Sequence, residues 1–299
     1  MPEPVRVLLT GRHGQLGQAL LASVPSGVEL LATGRGELDL ADPAACRSAV
    51  EQHRPDWVLN AGAYTAVDRA ESEPALAEAV NAGAPGAFAD ALAEAGGRLL
   101  QVSTDFVFDG EQGHPYAPEQ ALAPLGVYGA TKAEGERRAA AALPAERLCL
   151  LRTSWVYGPV GANFCLTMLR LHRAKAAAGE PLKVVADQVG CPTATAGLAA
   201  ACWRVIARGA SGRHHWSDCG AASWYDFAVA IGAQAAARGL IEAPAQVKPI
   251  TTADYPTPAR RPAYSLLDGS TTRQALKLEG QHWQAALAEV LAQIPRPQA

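Results

Sequence analysis

Short apolar runs alternate with longer helical stretches through the first half of the chain. The apolar runs predict buried strands, at residues 5–10, 29–33, 56–60, 98–103 and 147–151. The stretches between them predict helices, at residues 15–23, 43–53, 73–95 and 131–142. Asp42 and Pro43 supply an N-cap and a first-turn proline for the second of these helices. Strands alternating with helices of this length predict an α/β fold with a Rossmann-type, doubly wound parallel sheet.

The pattern changes near residue 155. Four further helices are predicted, at about residues 162–178, 194–207, 224–237 and 282–291. Stretches rich in proline, glycine and threonine separate them, for example at 187–193 and 251–262. We therefore predict an NAD(P)-binding Rossmann domain over residues 1–155. A smaller C-terminal substrate-binding lobe is predicted over 156–299, interleaved with the last strands and helices of the sheet.

Composition agrees with a globular protein. The 299 residues are 49% hydrophobic and 18% charged, which is enough apolar material for a sizeable core. The net charge of -3, without a basic stripe, argues against nucleic acid as a partner. Neither a secretory signal nor a membrane-spanning apolar run is recognisable, and the six cysteines include no C-x-x-C pair. These features favour a cytoplasmic protein with free thiols and no membrane partner.

A glycine-rich loop follows the first predicted strand and opens the first predicted helix. Its sequence, GRHGQLG, places Gly11, Gly14 and Gly17 three residues apart. Glycines in this context let the backbone approach a pyrophosphate, which the free amides at the helix N-terminus then bind. The alternative is a purely structural turn. We predict that this loop binds a nicotinamide dinucleotide, with His13, Gln15 and Leu16 also contacting it.

The end of the second strand bears on the choice of nicotinamide cofactor. A carboxylate there binds a ribose 2′-hydroxyl, whereas a small residue with a cation suits a 2′-phosphate. Gly34 and Arg35 stand at this place, so the sequence favours NADPH, with NADH as an alternative. Arg35 could instead be a solvated loop residue. Asp39 and Leu40 are expected to border the adenine.

The strongest catalytic signal is the pair Tyr128 and Lys132 at the start of a predicted helix. Their spacing of four residues puts both side chains on one helix face. A nearby ammonium stabilises a phenolate, so we expect Lys132 to draw the pKa of Tyr128 down toward neutrality. Lys132 could also hold the nicotinamide ribose hydroxyls. Thr104, at the end of the fourth predicted strand, is expected beside them, because catalytic groups collect at the carboxyl ends of parallel strands.

Several longer motifs point to a particular family. They span nearly the whole chain and lie at residues 11–17, 59–74, 102–110, 127–136, 152–159, 184–193 and 251–268. With these motifs the sequence resembles the extended short-chain dehydrogenase/reductases. Within them it resembles the dTDP-4-dehydrorhamnose reductase family. The segments TAVDRAESEP and YPTPARRPAYS are far more specific than the motifs shared by the whole superfamily.

The resemblance implies an activity. Hydride from NADPH would reduce the C4 carbonyl of dTDP-4-dehydro-L-rhamnose, giving dTDP-L-rhamnose, a precursor of surface polysaccharides. Tyr128 would protonate the developing alkoxide, Lys132 would tune Tyr128, and Thr104 would hydrogen-bond the reacting oxygen. Two alternatives stay open at this point. One is another 4-keto nucleotide-sugar reductase or epimerase, and the other is a non-catalytic regulatory subunit with the same fold.

The resemblance also implies contacts to each ligand. The cofactor is expected to touch the loop after the third strand, namely Ala61, Gly62, Ala63, Tyr64 and Thr65. The dTDP-sugar is expected to touch Val67, Thr104, Asp105, Phe106, Trp155, Asn163 and Arg261. Trp155 would pack on the sugar, with a core aromatic as the alternative. Arg260 and Arg261 could neutralise the diphosphate, with an exposed loop pair as the alternative.

Two departures from related enzymes are informative. Nucleotide-sugar dehydratases carry a glutamate where this chain has Phe106, which argues against dehydration. Some reductases of the family hold Mg²⁺ at a dimer interface through an acid on the first helix. Residues 15–23 contain no acid, which argues against a metal site and leaves monomer and homodimer open. Adjacent histidines on a strand face opposite ways, so His214 and His215 are expected to be structural.

Overall fold

The computed structural model describes residues 3–296, and its secondary structure follows the predicted alternation. In chain order the strands are β1 (Val5–Thr10), β2 (Val28–Thr33), β3 (Trp57–Asn60), β4 (Arg98–Thr104), β5 (Leu148–Thr153), β6 (Val156–Tyr157), β7 (Leu182–Val185), β8 (Val189–Gly190), β9 (Thr193–Ala194), β10 (Gly212–His215), β11 (Ala222–Ser223) and β12 (Val247–Ile250). The longer strands lie in the first half, where the apolar runs predicted them.

The α-helices of the described chain are α1 (Gln15–Ala22), α2 (Pro43–His53), α3 (Val67–Ala70), α4 (Pro74–Glu78), α5 (Ala84–Ala95), α6 (Val127–Ala142), α7 (Phe164–Ala177), α8 (Thr195–Arg208), α9 (Trp224–Ala237), α10 (Ser270–Leu276) and α11 (Trp283–Ala292). A π-helical turn, Ala79–Gly83, joins α4 to α5, and 3-10 turns occur at Asp105–Val107, Ala145–Arg147 and Thr252–Asp254. No helix within residues 3–296 has both the length and the apolar character needed to cross a membrane.

The main sheet has six parallel strands in the order β10-β5-β4-β3-β1-β2. The chain therefore starts inside the sheet at β1, adds β2 on one side and continues through β3 on the other. This reversal leaves a crevice at the carboxyl ends of β1 and β3, which is where ligands bind in open α/β sheets. The α/β doubly wound fold predicted from the sequence is confirmed.

Each face of the sheet is covered by helices, as strands buried on both sides require. Alternate residues of β1 divide between the faces: Val7 and Leu9 join the core under α1 and α8, whereas Leu8 joins the core under α2, α5 and α6. All three side chains are at most 1% exposed. Burying a side chain of this size stabilises the fold by about 1.5–3 kcal/mol.

A second core lies in the C-terminal half. It is built around Met168 on α7, Phe227 and Ile231 on α9, and Trp283 and Leu287 on α11. The short parallel pair of β7 and β12 packs on α7 and α9. By contrast, α8 packs on α1 and β10 completes the main sheet, although both belong to the second half of the chain.

Local details agree with the predictions in several places. The Asp42 side chain accepts hydrogen bonds from the amides of Ala44 and Ala45, so it caps α2 as predicted. The six cysteines are free thiols. The helix predicted from residue 131 begins four residues earlier, at Val127, so both Tyr128 and Lys132 lie within α6.

Candidate active site

The glycine-rich loop between β1 and α1 leaves backbone amides free for a ligand. Gly14 is the N-cap of α1 and no side chain caps the helix. A Cβ on Gly17 would collide with the carbonyl oxygen of Gly11, so α1 can pack this close to the loop only with glycine there. Unsatisfied amides and the positive end of the helix dipole suit a pyrophosphate. The loop therefore fits a dinucleotide.

The loop after β3 forms the other wall of this crevice. Leu40 packs on Gly62, where a Cβ would lie 2.5 Å from the leucine Cδ1. Ala61 to Thr65 run along the crevice, but the Tyr64 side chain turns away and its hydroxyl donates to Glu73 Oε2 at 2.6 Å. The Tyr64 amide donates to Asn81 Oδ1 at 2.9 Å. Because the Tyr64 carbonyl also accepts from Asn81 Nδ2 at 3.1 Å, both the side chain and the backbone of residue 64 are bonded to other residues of the protein.

The end of β2 holds the residues expected to select the cofactor. Arg35 is exposed and forms no ion pair with any other residue between positions 3 and 296. Asp39 is also exposed, and its Oδ1 accepts from the Ala41 amide at 2.9 Å. Near the glycine loop, His13 is exposed, and Gln15 at the start of α1 is half-buried, with Leu16 buried behind it.

Tyr128 and Thr104 meet at the carboxyl end of β4. A Cβ on Gly129 would collide with the Phe106 carbonyl oxygen, so this glycine lets the start of α6 pack on the 3-10 turn after β4. Thr104 Oγ1 donates to Asp105 Oδ1 at 3.0 Å, accepts from the Phe106 amide at 3.2 Å, and lies close enough to Tyr128 to affect the acidity of its hydroxyl. The predicted neighbourhood of Thr104, Tyr128 and Lys132 is thus present on adjoining elements.

The acidity of Tyr128 differs from the expectation. Burial raises the pKa of Tyr128 to about 12; the hydrogen bond with Thr104 opposes this shift, and the Asp105 charge adds to it. The expected lowering by Lys132 is not found in this structure. The reason is geometric, because the Lys132 ammonium donates to the Val102 carbonyl oxygen at 2.7 Å. Tyr128 is therefore a protonated phenol at neutral pH.

Lys132 is 4% exposed, and burial lowers its pKa to about 8, while the Glu136 charge raises it. A buried hydrogen-bond chain fixes the carbonyl on which it rests. Gln101 Nε2 also donates to Val102 O at 2.7 Å, and its Oε1 accepts from Asn60 Nδ2 at 2.7 Å. Asn60 Oδ1 in turn accepts from Thr10 Oγ1 at 2.6 Å, so the chain reaches the strand that leads into the glycine loop.

One turn further along α6, Glu136 is buried against Arg152 of β5. The guanidinium donates from Nη2 and Nε to the carboxylate, at 2.6 and 2.9 Å to its two oxygens. Arg152 Nη1 donates to the Pro118 carbonyl at 2.8 Å and lies 3.1 Å from His215 Nε2. Burial and the Arg152 charge lower the pKa of His215 to about 3, so it is neutral. Both histidines of the adjacent pair bond to protein carbonyls, and His214 to that of Ser211.

Asp105 and Phe106 occupy the turn directly after Thr104. Asp105 is 2% exposed, and its Oδ2 has no hydrogen-bond partner among the described residues. Burial raises the pKa of Asp105 to about 6, although the hydroxyls of Ser265 and Thr104 oppose the shift. The Phe106 ring meets the Tyr128 ring edge-on, with centroids 5.5 Å apart. A buried carboxyl oxygen without a partner beside the reactive pair is suited to accept a hydrogen bond from a ligand.

Trp155 lies at the end of β5 in an unusual backbone conformation. Its φ of 46° is in the left-handed region, which costs a bulky residue of order 1–3 kcal/mol. The indole stacks on that of Trp224, with centroids 3.5 Å apart and planes 5° from parallel. The Phe164 ring packs against Trp224 in turn, with ring centroids 4.6 Å apart. At least one face of Trp155 is therefore covered by protein.

Two contacts join the lobe to the cofactor side. Asn163 caps α7 by accepting from the Leu166 amide at 2.9 Å, and its Nδ2 donates to Gln15 Oε1 at 2.9 Å. Arg261 forms a two-point ion pair with Asp68 on α3, at 2.8 and 3.0 Å. Val67, at the start of α3, adjoins this pair and is half-buried. Arg260 diverges from Arg261 and approaches Glu111 at 3.8 Å, with both side chains exposed.

A cleft of about 480 Å³ lies beside this arginine-containing loop. Its walls include Asp109, Asp187, Thr252, Arg260 and Arg261. The volume is that of a typical small-molecule site. Within residues 3–296, no group of three or more histidine, cysteine or carboxylate side chains is placed to hold a metal ion.

Sequence reasoning missed several residues of this region. Glu136 stands four residues after Lys132, so the helical spacing carried a signal for it. Asn81, Asp68 and Trp224 had no such signal, because their partners Tyr64, Arg261 and Trp155 are distant in sequence and meet them only in the folded chain.

The chain resembles known proteins over nearly its full length. A dTDP-4-dehydrorhamnose reductase of Streptomyces griseus is 43% identical over 297 residues, covering 96% of this chain and 93% of that protein. A probable dTDP-4,6-dihydroxy-2-methyloxan-3-one 4-ketoreductase of Streptomyces antibioticus is 39% identical, covering 97% and 96%. The crystal structure of the dTDP-4-dehydrorhamnose reductase of Bacillus anthracis in complex with NADP superposes with a TM-score of 0.89 at 32% identity, covering 97% of this chain and 99% of that one.

The family model described as RmlD substrate binding domain matches residues 5–295. With this match and relatives of about 40% identity along the whole chain, the protein belongs to the dTDP-4-dehydrorhamnose reductase family.

Proposed function

We propose that this chain reduces the C4 keto group of dTDP-4-dehydro-L-rhamnose with NADPH and releases dTDP-L-rhamnose. The observation that carries the proposal is the packing of the start of α6, with Tyr128 and Lys132, against the carboxyl end of β4, where Thr104 lies. The glycine-rich loop after β1 opens onto the same edge of the sheet. The names of the relatives from Streptomyces griseus and Bacillus anthracis, and the NADP bound to the latter, support the substrate and the cofactor.

In this proposal the cofactor supplies a hydride to the C4 carbonyl carbon. As the carbonyl π bond breaks, the oxygen gains negative charge and takes the proton of the Tyr128 hydroxyl. A phenol with a pKa of about 12 is protonated at neutral pH, yet it is more acidic than the alcohol formed, so the transfer is favourable. Thr104 hydrogen-bonds the same oxygen and orients it. The solvent then returns a proton to Tyr128.

Lys132 acts on the cofactor side in this scheme. Its ammonium rests on the Val102 carbonyl, and from there it would donate to the nicotinamide ribose hydroxyls. A charge that stabilised the phenolate would also lower the pKa of Tyr128, and the structure shows no such lowering, so in this scheme Lys132 acts through its contact with the cofactor.

The remaining ligand contacts are proposed as follows. The pyrophosphate binds the amides of the loop holding Gly11, His13, Gly14, Gln15, Leu16 and Gly17. The adenosine and ribose lie against Gly34, Arg35, Asp39, Leu40, Ala61, Gly62, Ala63, Tyr64 and Thr65. The sugar nucleotide lies against Val67, Asp105, Phe106, Trp155, Asn163 and Arg261. Support comes from the free Oδ2 of Asp105 and from the cleft beside Arg261.

We further propose that residues 1–155 form the cofactor domain and residues 156–299 the substrate lobe. The separate core around Phe227 and Trp283 supports this division. The second stretch also lends α8 and β10 to the first domain. The enzyme is proposed to act in the cytoplasm, which the free thiols support. It is proposed to be a monomer or homodimer that binds its dTDP-sugar substrate.

The test is to follow the absorbance of NADPH after adding enzymatically prepared dTDP-4-dehydro-L-rhamnose and to identify the product. The proposal expects NADPH consumption equal to the dTDP-L-rhamnose formed. It also expects Tyr128→Phe to lower kcat by roughly 10²–10⁴-fold, the usual contribution of a positioned proton donor. Binding of NADPH to Tyr128→Phe should be unchanged. If wild type consumes no NADPH, or Tyr128→Phe keeps full activity, the proposal is wrong.

A second candidate, reduction of another dTDP-bound 4-keto sugar, is favoured by the relative from Streptomyces antibioticus. It uses the same residues and differs only in the sugar. Parallel assays with dTDP-4-keto sugars of different stereochemistry separate the two, through the ratio of their kcat/KM values. A regulatory subunit without catalysis would consume NADPH with none of these substrates.

A further inference from the structure

An ion pair stands at the end of β2, within the region that faces the adenosine ribose. Arg12 of the glycine-rich loop approaches Glu37, with Nη2 2.6 Å from Oε1. The other carboxylate oxygen, Oε2, accepts the backbone N–H of Gly34 at 2.8 Å. Arg12 Nη1 also donates to the Ala32 carbonyl at 3.3 Å. One carboxylate is thus bound by a guanidinium and a backbone amide directly after the strand ends.

The primary sequence hides this carboxylate. Gly34 and Arg35 follow the strand, and the acid comes three positions after Gly34. A turn closes the gap, because the Glu37 amide donates to the Gly34 carbonyl at 3.1 Å and folds the side chain back onto the strand end. The Gly34 N–H and the Arg12 charge lower the pKa of Glu37, although its limited burial opposes the shift, so the group is a carboxylate at neutral pH.

The two kinds of nicotinamide cofactor meet this pair differently. A carboxylate at the end of the second strand accepts hydrogen bonds from ribose hydroxyls, as NADH requires. A 2′-phosphate instead needs cations and backbone N–H donors, and a guanidinium binds it in a fork. Arg12 and Gly34 are donors of that kind, and Glu37 already occupies both. An intramolecular anion therefore competes for the donors a 2′-phosphate would take.

We propose that Glu37 is the residue that sets the balance between NADH and NADPH, because its carboxylate accepts the ribose hydroxyls of the first and must leave Arg12 and Gly34 to admit the second. This rests on the proposed use of a nicotinamide dinucleotide. The preference for NADPH inferred from the sequence depended on Arg35, whereas here the deciding group is the Glu37 carboxylate, which a turn brings to the end of β2.

The displacement is feasible because the pair lies at the surface. The Glu37 side chain is 47% exposed and that of Arg12 35%. The carboxylate can therefore swing into water at little cost, since exposed ion pairs are weak. Exposed Arg35 then adds positive charge, and the exposed His13 ring lies nearby as a further hydrogen-bonding group for a 2′-phosphate. The chain is expected to bind both cofactors, and Glu37 is expected to weaken the binding of NADPH relative to that of NADH.

The test compares Glu37→Gln with wild type through equilibrium binding of NADPH and NADH, measured by fluorescence titration or calorimetry. Removing one negative charge close to a 2′-phosphate should strengthen NADPH binding about tenfold, equivalent to 1.4 kcal/mol. NADH binding should weaken or stay unchanged, so the ratio of the two Kd values should shift toward NADPH by about tenfold or more. The gain should shrink at high salt, because both charges are partly solvated.

A matched control removes the same charge elsewhere. Glu180 lies just beyond the C-terminal end of α7 and forms an ion pair with Lys175. Because α7 has 14 residues, Glu180 is about 20 Å from the other end of the helix, where Asn163 contacts Gln15. Glu180→Gln should leave both Kd values unchanged. Competition by 2′,5′-ADP and by 5′-AMP then isolates the phosphate: Glu37→Gln should gain affinity for the first alone.

The outcomes separate this inference from the function on which it rests. If wild type binds neither dinucleotide, the proposed function fails. If it binds both, but Glu37→Gln leaves their Kd ratio and the affinity for 2′,5′-ADP unchanged, then Glu37 does not discriminate and the inference is overturned. A rise in NADPH affinity shared by Glu180→Gln would show a general effect of net charge and would overturn it equally.

Discussion

Replacing Glu136 by glutamine should destabilise the protein far more than a single surface charge would. The side chains of Glu136 and Arg152 are 4% and 2% exposed. The arginine is held by both carboxylate oxygens, by the Pro118 carbonyl and by the face of Phe108, 5.3 Å from its ring centroid. Glu136→Gln keeps the shape and one acceptor but leaves the guanidinium without its counter-charge.

The size of the effect follows from that burial. Breaking a buried ion pair by removing one partner costs about 3–5 kcal/mol, because the remaining charge stays out of water without compensation. The residual acceptor of glutamine and the Pro118 carbonyl place the expected loss in unfolding free energy near the lower end, about 3 kcal/mol. For a chain of this length that corresponds to a fall in Tm of roughly 6 °C.

Urea unfolding at pH 7, followed by circular dichroism, measures this loss. Glu134→Gln is the control on the same helix. The Glu134 carboxylate also accepts hydrogen bonds from two arginines, Arg137 and Arg138, but its side chain is 29% exposed. It should lose much less, because exposed pairs are solvated and screened. The double variant Glu136→Gln with Arg152→Met should recover a large part of the stability. A loss below about 1 kcal/mol for Glu136→Gln would refute the reasoning, since water would then reach the guanidinium.

Three further outcomes are expected. Because burial lowers the pKa of Lys132 to about 8, the ammonium loses its charge above that pH, and kcat/KM should fall as the pH rises through about 8. A profile of kcat/KM that stays flat from pH 7 to 10 would contradict a role for the ammonium. Gly17→Ala should abolish NADPH binding measured by fluorescence titration while the chain stays folded, because the new Cβ meets the Gly11 carbonyl; retained affinity would show that the loop can shift. Asp68→Asn should raise the KM for the sugar nucleotide more than it lowers kcat, because Arg261 loses its two-point ion pair. Equal KM values for variant and wild type would show that this ion pair has no role in substrate binding.

The sheet could be predicted because its signals are local. Runs such as residues 5–10 are mostly apolar, and Asp42 with Pro43 marks the start of a helix. The short strands of the second half carried no comparable signal. For example, β8 and β11 have two residues each and pair with one another. Their existence depends on tertiary packing, which single-sequence periodicity does not contain.

The candidate site divides in the same way. Tyr128, Lys132 and Thr104 could be named from helical spacing and strand ends, and they lie on two elements that pack together, α6 and β4. The electrostatics could not be predicted, because they depend on which carbonyl Lys132 reaches and on how deeply Tyr128 is buried. The turn that brings Glu37 back to Gly34 could not be predicted for a similar reason: two residues separate them in the sequence, and only the folded backbone brings the carboxylate to the Gly34 amide.

The proposed reaction moves hydride from a nicotinamide to C4 of a dTDP-bound keto sugar and ends with a proton from Tyr128. Isotope transfer tests it: NADPH deuterated at the transferring position is supplied, and the label is located in the product by mass spectrometry and NMR. We expect one deuterium at C4 of dTDP-L-rhamnose when wild type is used, and almost no labelled product from Tyr128→Phe. Product without deuterium at C4, or equal labelling by Tyr128→Phe at the wild-type rate, would contradict it.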